Sequence, residues 1–270
     1  MIPKIIHYCW FGRNPLPKLA LKCIASWKKF CPDYEIREWN EDNFDVTKNQ
    51  YCQEAYKAKK WAFVSDYVRL YVLNSFGGIY MDSDVEVIRN LDIFLTEDGF
   101  SGFESENAAV TGIMGAKRGN CFVNELLHEY DVLHFSKPDG TFEITTNTVR
   151  ITQAMLGHGL RLNNSKQTVQ DFTIYPKDYF CPMNYRTGTY CITENTYTIH
   201  HFAASWHDGW ERFNDAIPRA CVKVFGERCG LGIGRALSLP SRVARKFYTL
   251  GGRETMKLIA KKMRIIWSDL

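Results

Sequence analysis

The most constraining feature of the sequence is an apolar helix pattern that leads directly into a buried strand and then into two carboxylates. Apolar side chains recur at helical spacing over residues 61–74, and Gly77-Gly78 ends the pattern because glycine readily adopts a positive φ. The strand-like run Ile79-Tyr80-Met81 follows and opens into Asp82-Ser83-Asp84. A helix, a glycine stop and a buried strand in this order are typical of an α/β fold.

Strand and helix patterns alternate along the first half of the chain. We predict strands at 4–10, 34–39, 79–81, 85–88, 100–103 and 110–116, helices at 19–30, 61–74, 122–134 and 148–156, and short strands with loops over 168–204. This order predicts an α/β fold with an open mixed sheet flanked by helices. Such sheets bind ligands beyond the carboxyl ends of their strands, which is where Asp82 and Asp84 fall.

The composition is that of a folded domain. Of the 270 residues, 45% are hydrophobic, 24% charged and 14% aromatic, which excludes disorder and a coiled coil. No apolar run reaches about 18 residues, so we predict no membrane span. The chain starts in a strand-like run without the apolar stretch of a signal peptide, and its nine cysteines form no C-x-x-C pair. We therefore expect reduced thiols in a cytoplasmic protein.

The basic charge is concentrated near the C-terminus. Residues 235–264 contain nine Lys or Arg and one acid, a net charge of +8, while the rest of the chain carries −4. A mildly acidic main body argues against a nucleic-acid surface there. We predict a catalytic domain over 1–225 and a basic helical segment over 226–270.

Asp82 and Asp84 are the sharpest chemical feature. Two carboxylates two residues apart at a strand end can point to one side and share a Mg²⁺ or Mn²⁺ ion, with substrate phosphates completing the coordination. The alternative is a solvated turn without a ligand. The apolar run before the pair favours the metal site, because it places the carboxylates at the mouth of a buried strand.

Two further groups of residues have a functional and a structural interpretation. Asp66 and Arg69 share one helix face with apolar neighbours, so we expect them to face a pocket or each other rather than form a surface ion pair. His200-His201 follows a strand-like run and includes common metal ligands, although such a pair is also found packed in cores. Trp10, at the end of the first strand, either joins the core or stacks on a ligand.

Three segments together resemble a known family. They are Ile2-Pro3-Lys4-Ile5-Ile6-His7-Tyr8-Cys9-Trp10-Phe11-Gly12, Ser65-Asp66-Tyr67-Val68-Arg69-Leu70 and Gly77-Gly78-Ile79-Tyr80-Met81-Asp82-Ser83-Asp84-Val85. Their order resembles the sugar-binding-region glycosyltransferases with a D-x-D motif, glycosyltransferase family 32, which includes bacterial capsule and lipopolysaccharide enzymes and fungal mannosyltransferases. The catalytic domains of the large clostridial toxins are more distant relatives. The resemblance covers about residues 2–90 and returns at 197–207.

The resemblance implies a GT-A type fold and a specific reaction. The enzyme would move a sugar from a nucleotide-diphospho-sugar, with a UDP-sugar favoured, to a glycan or lipid-linked acceptor in surface polysaccharide synthesis. It would use Mn²⁺ or Mg²⁺ and retain the anomeric configuration. The sequence shows no obvious carboxylate nucleophile, so a front-face route, in which the leaving phosphate helps to deprotonate the acceptor, is favoured.

The same resemblance assigns roles in donor binding. Tyr8 and Trp10 would bind the donor, with Trp10 stacked on the uracil. Asp66 and Arg69 would hold the hydroxyls of the donor sugar, and Tyr80 would lie near the nucleoside.

It also assigns the metal site and the contacts to the leaving group. Asp82 would contact the ribose and a metal-bound water, while Asp84 would bind the metal directly. His201 would be a further metal ligand, and Ser205 and Trp206 would touch the leaving diphosphate. The catalytic set would be Asp82, Asp84 and Arg69.

Two other functions fit part of the sequence. Haloacid-dehalogenase-like phosphatases also run from an apolar strand into D-x-D, which would make Asp82 a nucleophile, but they need a second acidic pair late in the chain and none follows. A non-enzymatic membrane-surface protein would explain the basic C-terminus and not the acidic motif.

The C-terminal residues suggest a membrane partner. Apolar side chains between 253 and 267 recur at steps of three and four, with lysines and arginines elsewhere around the helix axis. We predict that residues 235–267 bind an anionic membrane, at the inner face of the cell membrane. The alternative is that this helix packs its apolar stripe on the catalytic domain.

Overall fold

The computed structural model describes residues 1–110, 112–203 and 209–250. The chain forms two compact units, one of Met1–Asn184 with Tyr190–Trp206 and one of Tyr185–Thr189 with His207–Leu270. The predicted domain boundary at residue 226 falls inside the long helix of the second unit. Ser205, Trp206 and the predicted helix over 253–267 lie outside the described residues.

The first unit is built on a mixed sheet, as the sequence predicted. Its strands and those of a small second sheet are β1 (Ile5–Cys9), β2 (Glu35–Trp39), β3 (Gly78–Met81), β4 (Val85–Val87), β5 (Gly99–Gly102), β6 (Ile113–Ala116), β7 (Gln167–Val169), β8 (Phe172–Tyr175) and β9 (Thr198–His200). Within the described residues, the main sheet has seven strands in the order β2-β1-β3-β6-β5-β8-β7, and β4 pairs with β9 in a separate ribbon.

The helices are α1 (Lys18–Phe30), α2 (Gln50–Lys57), α3 (Trp61–Phe76), α4 (Cys121–Glu129), α5 (Asn147–Gly157), α6 (Lys177–Phe180) and α7 (Gly209–Leu250). They also follow much of the predicted pattern, with differences at α2, α4, α6 and α7. The prediction missed α2, a short and largely polar helix whose first turn is capped by the side chain of Asn49. It also extended α4 five residues too far. None of these helices, over the residues that the structure describes, is long and apolar enough to span a bilayer.

The relative directions of the strands place the ends of four strands and the start of a fifth at one edge of the main sheet. Strands β1 and β3 are parallel to each other, β6 runs antiparallel between β3 and β5, and β8 is parallel to β5. The carboxyl ends of β1, β3, β5 and β8 therefore lie at the same edge as the start of β6. We call this the carboxyl edge, and the residues next to it in the chain include Trp10, Asp82, Gly112, Glu104 and Lys177.

The glycine pair before β3 lets the helix end and the strands approach closely. Gly77 has φ 66° and its N–H donates to the carbonyl of Leu73, so it closes α3. A Cβ on Gly78, which has φ 107°, would lie 2.7 Å from the carbonyl oxygen of Ile5 in β1. The predicted glycine stop is confirmed, and the second glycine also lets β1 and β3 pair.

The second unit contains a helical hairpin. Helix α7 is interrupted at Gly226, which has φ 73° and ψ 170° and is not helical. A Cβ on Gly230 would lie 2.5 Å from Cα of Val222, and one on Gly234 would lie 2.4 Å from Cα of Pro218. The segments 209–225 and 227–250 therefore pack against each other as antiparallel arms, and the glycines permit their close approach.

The hairpin packing predicts opposite effects for two neighbouring glycines. Gly234→Ala should force the arms apart and lower the melting temperature of the second unit, because overpacking a tight contact costs about 1–3 kcal/mol. Gly232→Ala should be neutral or stabilising, since nothing lies within 4 Å of its added Cβ and alanine favours a helix. Hydrogen exchange of the amides of 209–245 measures both changes. Equal protection in the two variants would contradict the packing.

Candidate functional site

The backbone of the sheet positions Asp82 at the carboxyl edge. Its N–H donates to the carbonyl of Gly112 at 2.8 Å, and its own carbonyl accepts from the N–H of Val85 at 3.0 Å. These bonds fix the turn that joins β3 to β4 and carries Asp84. The carboxylates of the D-x-D motif are therefore held by main-chain hydrogen bonds at the end of a fully buried strand.

A histidine joins the two carboxylates. Ligand atoms of Asp82, Asp84 and His200 all lie within 4.8 Å of one another, and no other group of three or more such residues occurs in the described parts of the chain. His200 reaches the site because β9 pairs with β4, which places it opposite Val85. Two carboxylates and an imidazole form a donor set that suits a divalent metal ion.

The charges of Asp84 and His200 stabilise each other. Nε2 of His200 lies 3.4 Å from Oδ1 of Asp84, and the N–H of Ala203 donates to Oδ2 of Asp84 at 2.7 Å. Burial would raise the pKa of Asp84, but His200 and this N–H outweigh it and lower the pKa to about 2. Burial would lower the pKa of His200, yet Asp84 holds it well above its usual value. Asp84 is therefore ionised at neutral pH.

The structure corrects the position of the histidine by one residue. His201, predicted as the metal ligand, has its Nε2 2.8 Å from Oε2 of Glu86, which also accepts from Lys22. The imidazoles of His200 and His201 thus face different carboxylates, those of Asp84 and Glu86. His200 is the histidine that lies beside the two carboxylates.

Arg69 connects helix α3 to the D-x-D motif. Its Nη2 lies 3.0 Å from Oδ1 of Asp82 and 3.5 Å from Oδ1 of Asp66. Its guanidinium stacks 4.4 Å from the ring centroid of Tyr80, whose hydroxyl donates to Oδ1 of Asp82 at 3.1 Å. Asp66 and Arg69 do face each other, as their apolar neighbours predicted. Arg69 also contacts Asp82, so it links this pair to the end of β3.

Asp66 also supports another helix. The N–H of Asn147, the first residue of α5, donates to Oδ2 of Asp66 at 3.2 Å, and its side-chain amide donates to the carbonyl of Asp66 at 3.3 Å. Burial raises the pKa of Asp66 to about 6, against the opposing charge of Arg69. Asp66 therefore caps the N-terminus of α5 although it is 81 residues away in the sequence. The sequence did not show this structural role.

Two buried polar atoms near this pair lack a hydrogen-bond partner. They are Nε of Arg69, a donor, and Oδ1 of Asn147, an acceptor. Both residues are largely buried, and unsatisfied polar atoms in such places are costly unless a ligand or water completes them. Asn147 was missed by the sequence analysis because it is 81 residues from Asp66 and follows no local motif.

The first strand contributes Trp10 to the carboxyl edge but not the hydroxyl of Tyr8. Trp10 follows β1 directly, and its indole N–H donates to the carbonyl of Asn14 at 2.6 Å. Tyr8 is buried against Trp27, and its hydroxyl donates to Glu38. Tyr8 therefore packs behind the edge, where its polar atom is already engaged.

Comparison with known proteins finds similarity to glycosyltransferases. A family model described as a glycosyltransferase sugar-binding region containing a DXD motif matches residues 17–101. Inositol phosphoceramide mannosyltransferase 3 of Schizosaccharomyces pombe is 30% identical over 134 residues, which cover 47% of this chain and 36% of the relative. The uncharacterized glycosyltransferase L373 of Acanthamoeba polyphaga mimivirus is 24% identical over 223 residues, 76% of this chain and 84% of that protein.

Among solved structures, the PaToxG glycosyltransferase aligns with a TM-score of 0.44 at 20% identity, over 61% of this chain and 73% of that one. The chain spans 36% of the length of the fission yeast relative. The family match runs from before α1 to β5 and contains α3, β3 and the D-x-D motif. Over residues 17–101 the chain is therefore similar to the sugar-binding region of glycosyltransferases that contain a DXD motif, as the resemblance of its sequence predicted.

Proposed function

We propose that the protein is a metal-dependent transferase of the GT-A type that moves a sugar from a nucleotide-diphospho-sugar, a UDP-sugar in the first instance, to a glycan or lipid-linked acceptor with retention of configuration. The observation that carries this proposal is the convergence of Asp82, Asp84 and His200 at the carboxyl edge, beside the Asp66–Arg69 pair. The family match and the position of the motif at a strand end support it.

In this proposal, Asp82, Asp84 and His200 hold a Mn²⁺ or Mg²⁺ ion. Such an ion acts as a Lewis acid that neutralises the charge of the departing diphosphate. Carboxylate oxygens suit both ions, and the imidazole nitrogen leads us to expect more activity with Mn²⁺ than with Mg²⁺. Without the ion, the imidazolium of His200 balances the charge of Asp84, so binding of the ion would displace the proton of His200. The phosphatase alternative gains no support, because the third group of the cluster is a histidine rather than an acid.

The donor sugar lies, in this proposal, against Asp66, Arg69 and Asn147. Nε of Arg69 can donate to a sugar hydroxyl and Oδ1 of Asn147 can accept from one, which would satisfy both unpartnered atoms. Trp10 would stack on the uracil at the carboxyl edge, with Tyr8 supporting it from behind. Tyr80, stacked on Arg69, would lie near the nucleoside.

Ser205 and Trp206 retain their proposed role at the leaving diphosphate from the sequence resemblance alone. The setting that we infer, surface polysaccharide synthesis of the capsule or lipopolysaccharide type, also follows from that resemblance. The name of the fission yeast relative, an inositol phosphoceramide mannosyltransferase, supports a lipid-linked acceptor and adds mannose to the donor sugars worth testing.

The helical hairpin supports a location at an anionic membrane surface. Val224 and Phe225 are 72% and 54% exposed at its tip, next to the kink at Gly226. Lys223 and Arg228 flank them and are exposed, with one acid, Glu227, next to Arg228, so the tip has a net charge of +1. Apolar side chains between basic ones are suited to the interface of a membrane with anionic lipid, where each basic residue contributes about 1 kcal/mol. We therefore extend the proposed membrane-binding region from 235–267 to include this tip.

The metal assignment predicts the behaviour of Asp84→Asn. Asparagine keeps an oxygen that can accept from the N–H of Ala203 but removes the negative charge, so the fold should persist while Mn²⁺ binding is lost. Hydrolysis of nucleotide sugars, screened with UDP-sugars and GDP-mannose, should fall at least about 100-fold. Isothermal titration with Mn²⁺ and UDP measures binding directly. The control is Glu86→Gln on the next strand, and near-normal hydrolysis by Asp84→Asn would exclude this metal site.

Donor binding by Asp66 predicts a separation of activity from stability. Asp66→Asn retains an acceptor for the N–H of Asn147, and Asp82 still pairs with Arg69, so the protein should stay folded with a moderate fall in melting temperature. It removes the charge that faces Arg69, and turnover should fall by about 100-fold or more. A large drop in melting temperature with unchanged turnover would show that Asp66 serves only to cap α5.

The membrane proposal predicts salt-sensitive binding through the hairpin tip. Full-length protein should float with vesicles that contain anionic lipid at low salt, and the double variant Val224→Ser, Phe225→Ser should not. These substitutions are better than truncation after Gly234, which would remove an arm that packs on Pro218. Val132→Ser, at an 81% exposed site in the first unit, is the control. Equal flotation of all three proteins would exclude the tip as the contact.

A further inference from the structure

A carboxylate outside the D-x-D motif lies at the same edge of the sheet. Glu104 follows the end of β5 by two residues. Strand β5 is two places from β3 in the sheet, with β6 between them. Neighbouring strands are about 4.8 Å apart, so the ends of β3 and β5 are about 10 Å apart. Asp82 and Glu104 therefore follow strand ends that flank the start of β6 on either side.

The strand between them presents no side chain at this point. Gly112 precedes β6, and a Cβ there would lie 3.0 Å from Oδ2 of Asp82 and 3.1 Å from Cε1 of His200. Any larger residue would therefore fill the space next to the metal-ligand cluster. Because Gly112 has no side chain, Val85, Asp82 and His200 can all approach the start of β6 closely.

The backbone of Glu104 is fixed while its carboxylate is unpaired. Its N–H donates to the carbonyl of Ala108 at 2.9 Å, and its carbonyl accepts from the thiol of Cys181 at 3.9 Å. The carboxylate accepts no hydrogen bond and forms no ion pair with any residue of the described ranges, although Glu104 is mostly buried. A carboxylate in a partly buried side chain, without a protein partner, is available to a ligand, and groups with a perturbed pKa are concentrated at functional sites.

The charges that act on Glu104 are those of the site. Burial raises the pKa of its carboxyl group, and the nearby charges are His200, Asp82, Lys177 and Arg69. Lys177 comes from α6 and its ammonium group is already hydrogen-bonded to the carbonyls of Cys181 and Met183. Lys177, Arg69 and His200 thus form their own hydrogen bonds or ion pairs with other groups. The carboxylate of Glu104 is therefore available to bind a substrate.

We propose that Glu104 accepts the hydrogen bond, and then the proton, of the hydroxyl that attacks the donor sugar. The inference rests on the proposed glycosyl transfer. The acceptor oxygen forms a bond to the anomeric carbon while the bond from that carbon to the diphosphate oxygen breaks. The bonding electrons leave with the nucleoside diphosphate, and the hydroxyl proton passes to Glu104 and then to solvent. Glu104 thereby takes over the proton transfer that the sequence analysis assigned to the leaving phosphate.

The test uses hydrolysis of the nucleotide sugar that the wild-type protein turns over, with water as the acceptor. Glu104→Gln keeps the shape of the side chain and removes its basicity, so kcat should fall about 100-fold or more, as expected for loss of a general base. Affinity for UDP with Mn²⁺ should stay within about threefold. Glu106→Gln is the matched control, because Glu106 is exposed in the same turn.

Azide provides a readout that a structural role would not change. Azide attacks without giving up a proton, so it should restore release of the nucleoside diphosphate in Glu104→Ala to within about tenfold of the wild-type rate. Wild-type activity should not respond to azide to the same degree. A glycosyl azide in the product confirms that the anion attacked the sugar.

Several results would overturn the proposal. They are hydrolysis by Glu104→Gln within about threefold of wild type, loss of UDP affinity in proportion to activity, failure of azide to rescue Glu104→Ala, and a glycosyl adduct on Glu104 by mass spectrometry. An inactive wild-type protein, tested with every nucleotide sugar of the panel, would instead refute the proposed transferase function. Active wild type with active Glu104→Gln refutes the role of Glu104 alone.

Discussion

The buried charge of Arg69 is the interaction on which the rest of the site depends. One guanidinium contacts Asp66 on its own helix and Asp82 at the end of β3, while its face stacks on Tyr80. Removing one partner from a buried ion pair costs roughly 3–5 kcal/mol, whereas an apolar replacement of the whole group is often neutral. Stability therefore does not explain why charge is kept here. Its effect is to fix the orientation of the D-x-D turn relative to α3.

Topology brings the remaining groups to this turn. Because β6 runs antiparallel between β3 and β5, its start meets the ends of both strands, and Gly112 adds no side chain there. The separate β4–β9 ribbon then adds His200 from about 115 residues further along the chain. Segments that are distant in sequence thus converge without any of them carrying a complete motif. The only part of the site that is local in sequence is the run from α3 through Asp84.

That difference explains which parts of the fold and site could be predicted from sequence. The α3–β3 unit was predicted because apolar periodicity, a glycine stop and a polar strand end are all local patterns. The histidine was misplaced by one residue because the side of a strand that faces the site depends on its pairing partner. Asn147 and Glu104 could not be found, since each is placed by the order of strands and helices rather than by its neighbours. The hairpin of α7 was missed because glycines are weak helix formers, and their use in close helix packing becomes visible only in three dimensions.

Asp66 shows how the site and the fold share one side chain. Its carboxylate faces Arg69 on one side and accepts from the first N–H of α5 on the other. Helix N-termini favour a negative group, so the charge that Arg69 requires also stabilises α5. Asn147, the residue that this cap positions, leaves its own side-chain oxygen unpaired next to Arg69. Any change that moves α5 would therefore also move the side-chain oxygen of Asn147, which couples the packing of this helix to the geometry of the proposed donor site.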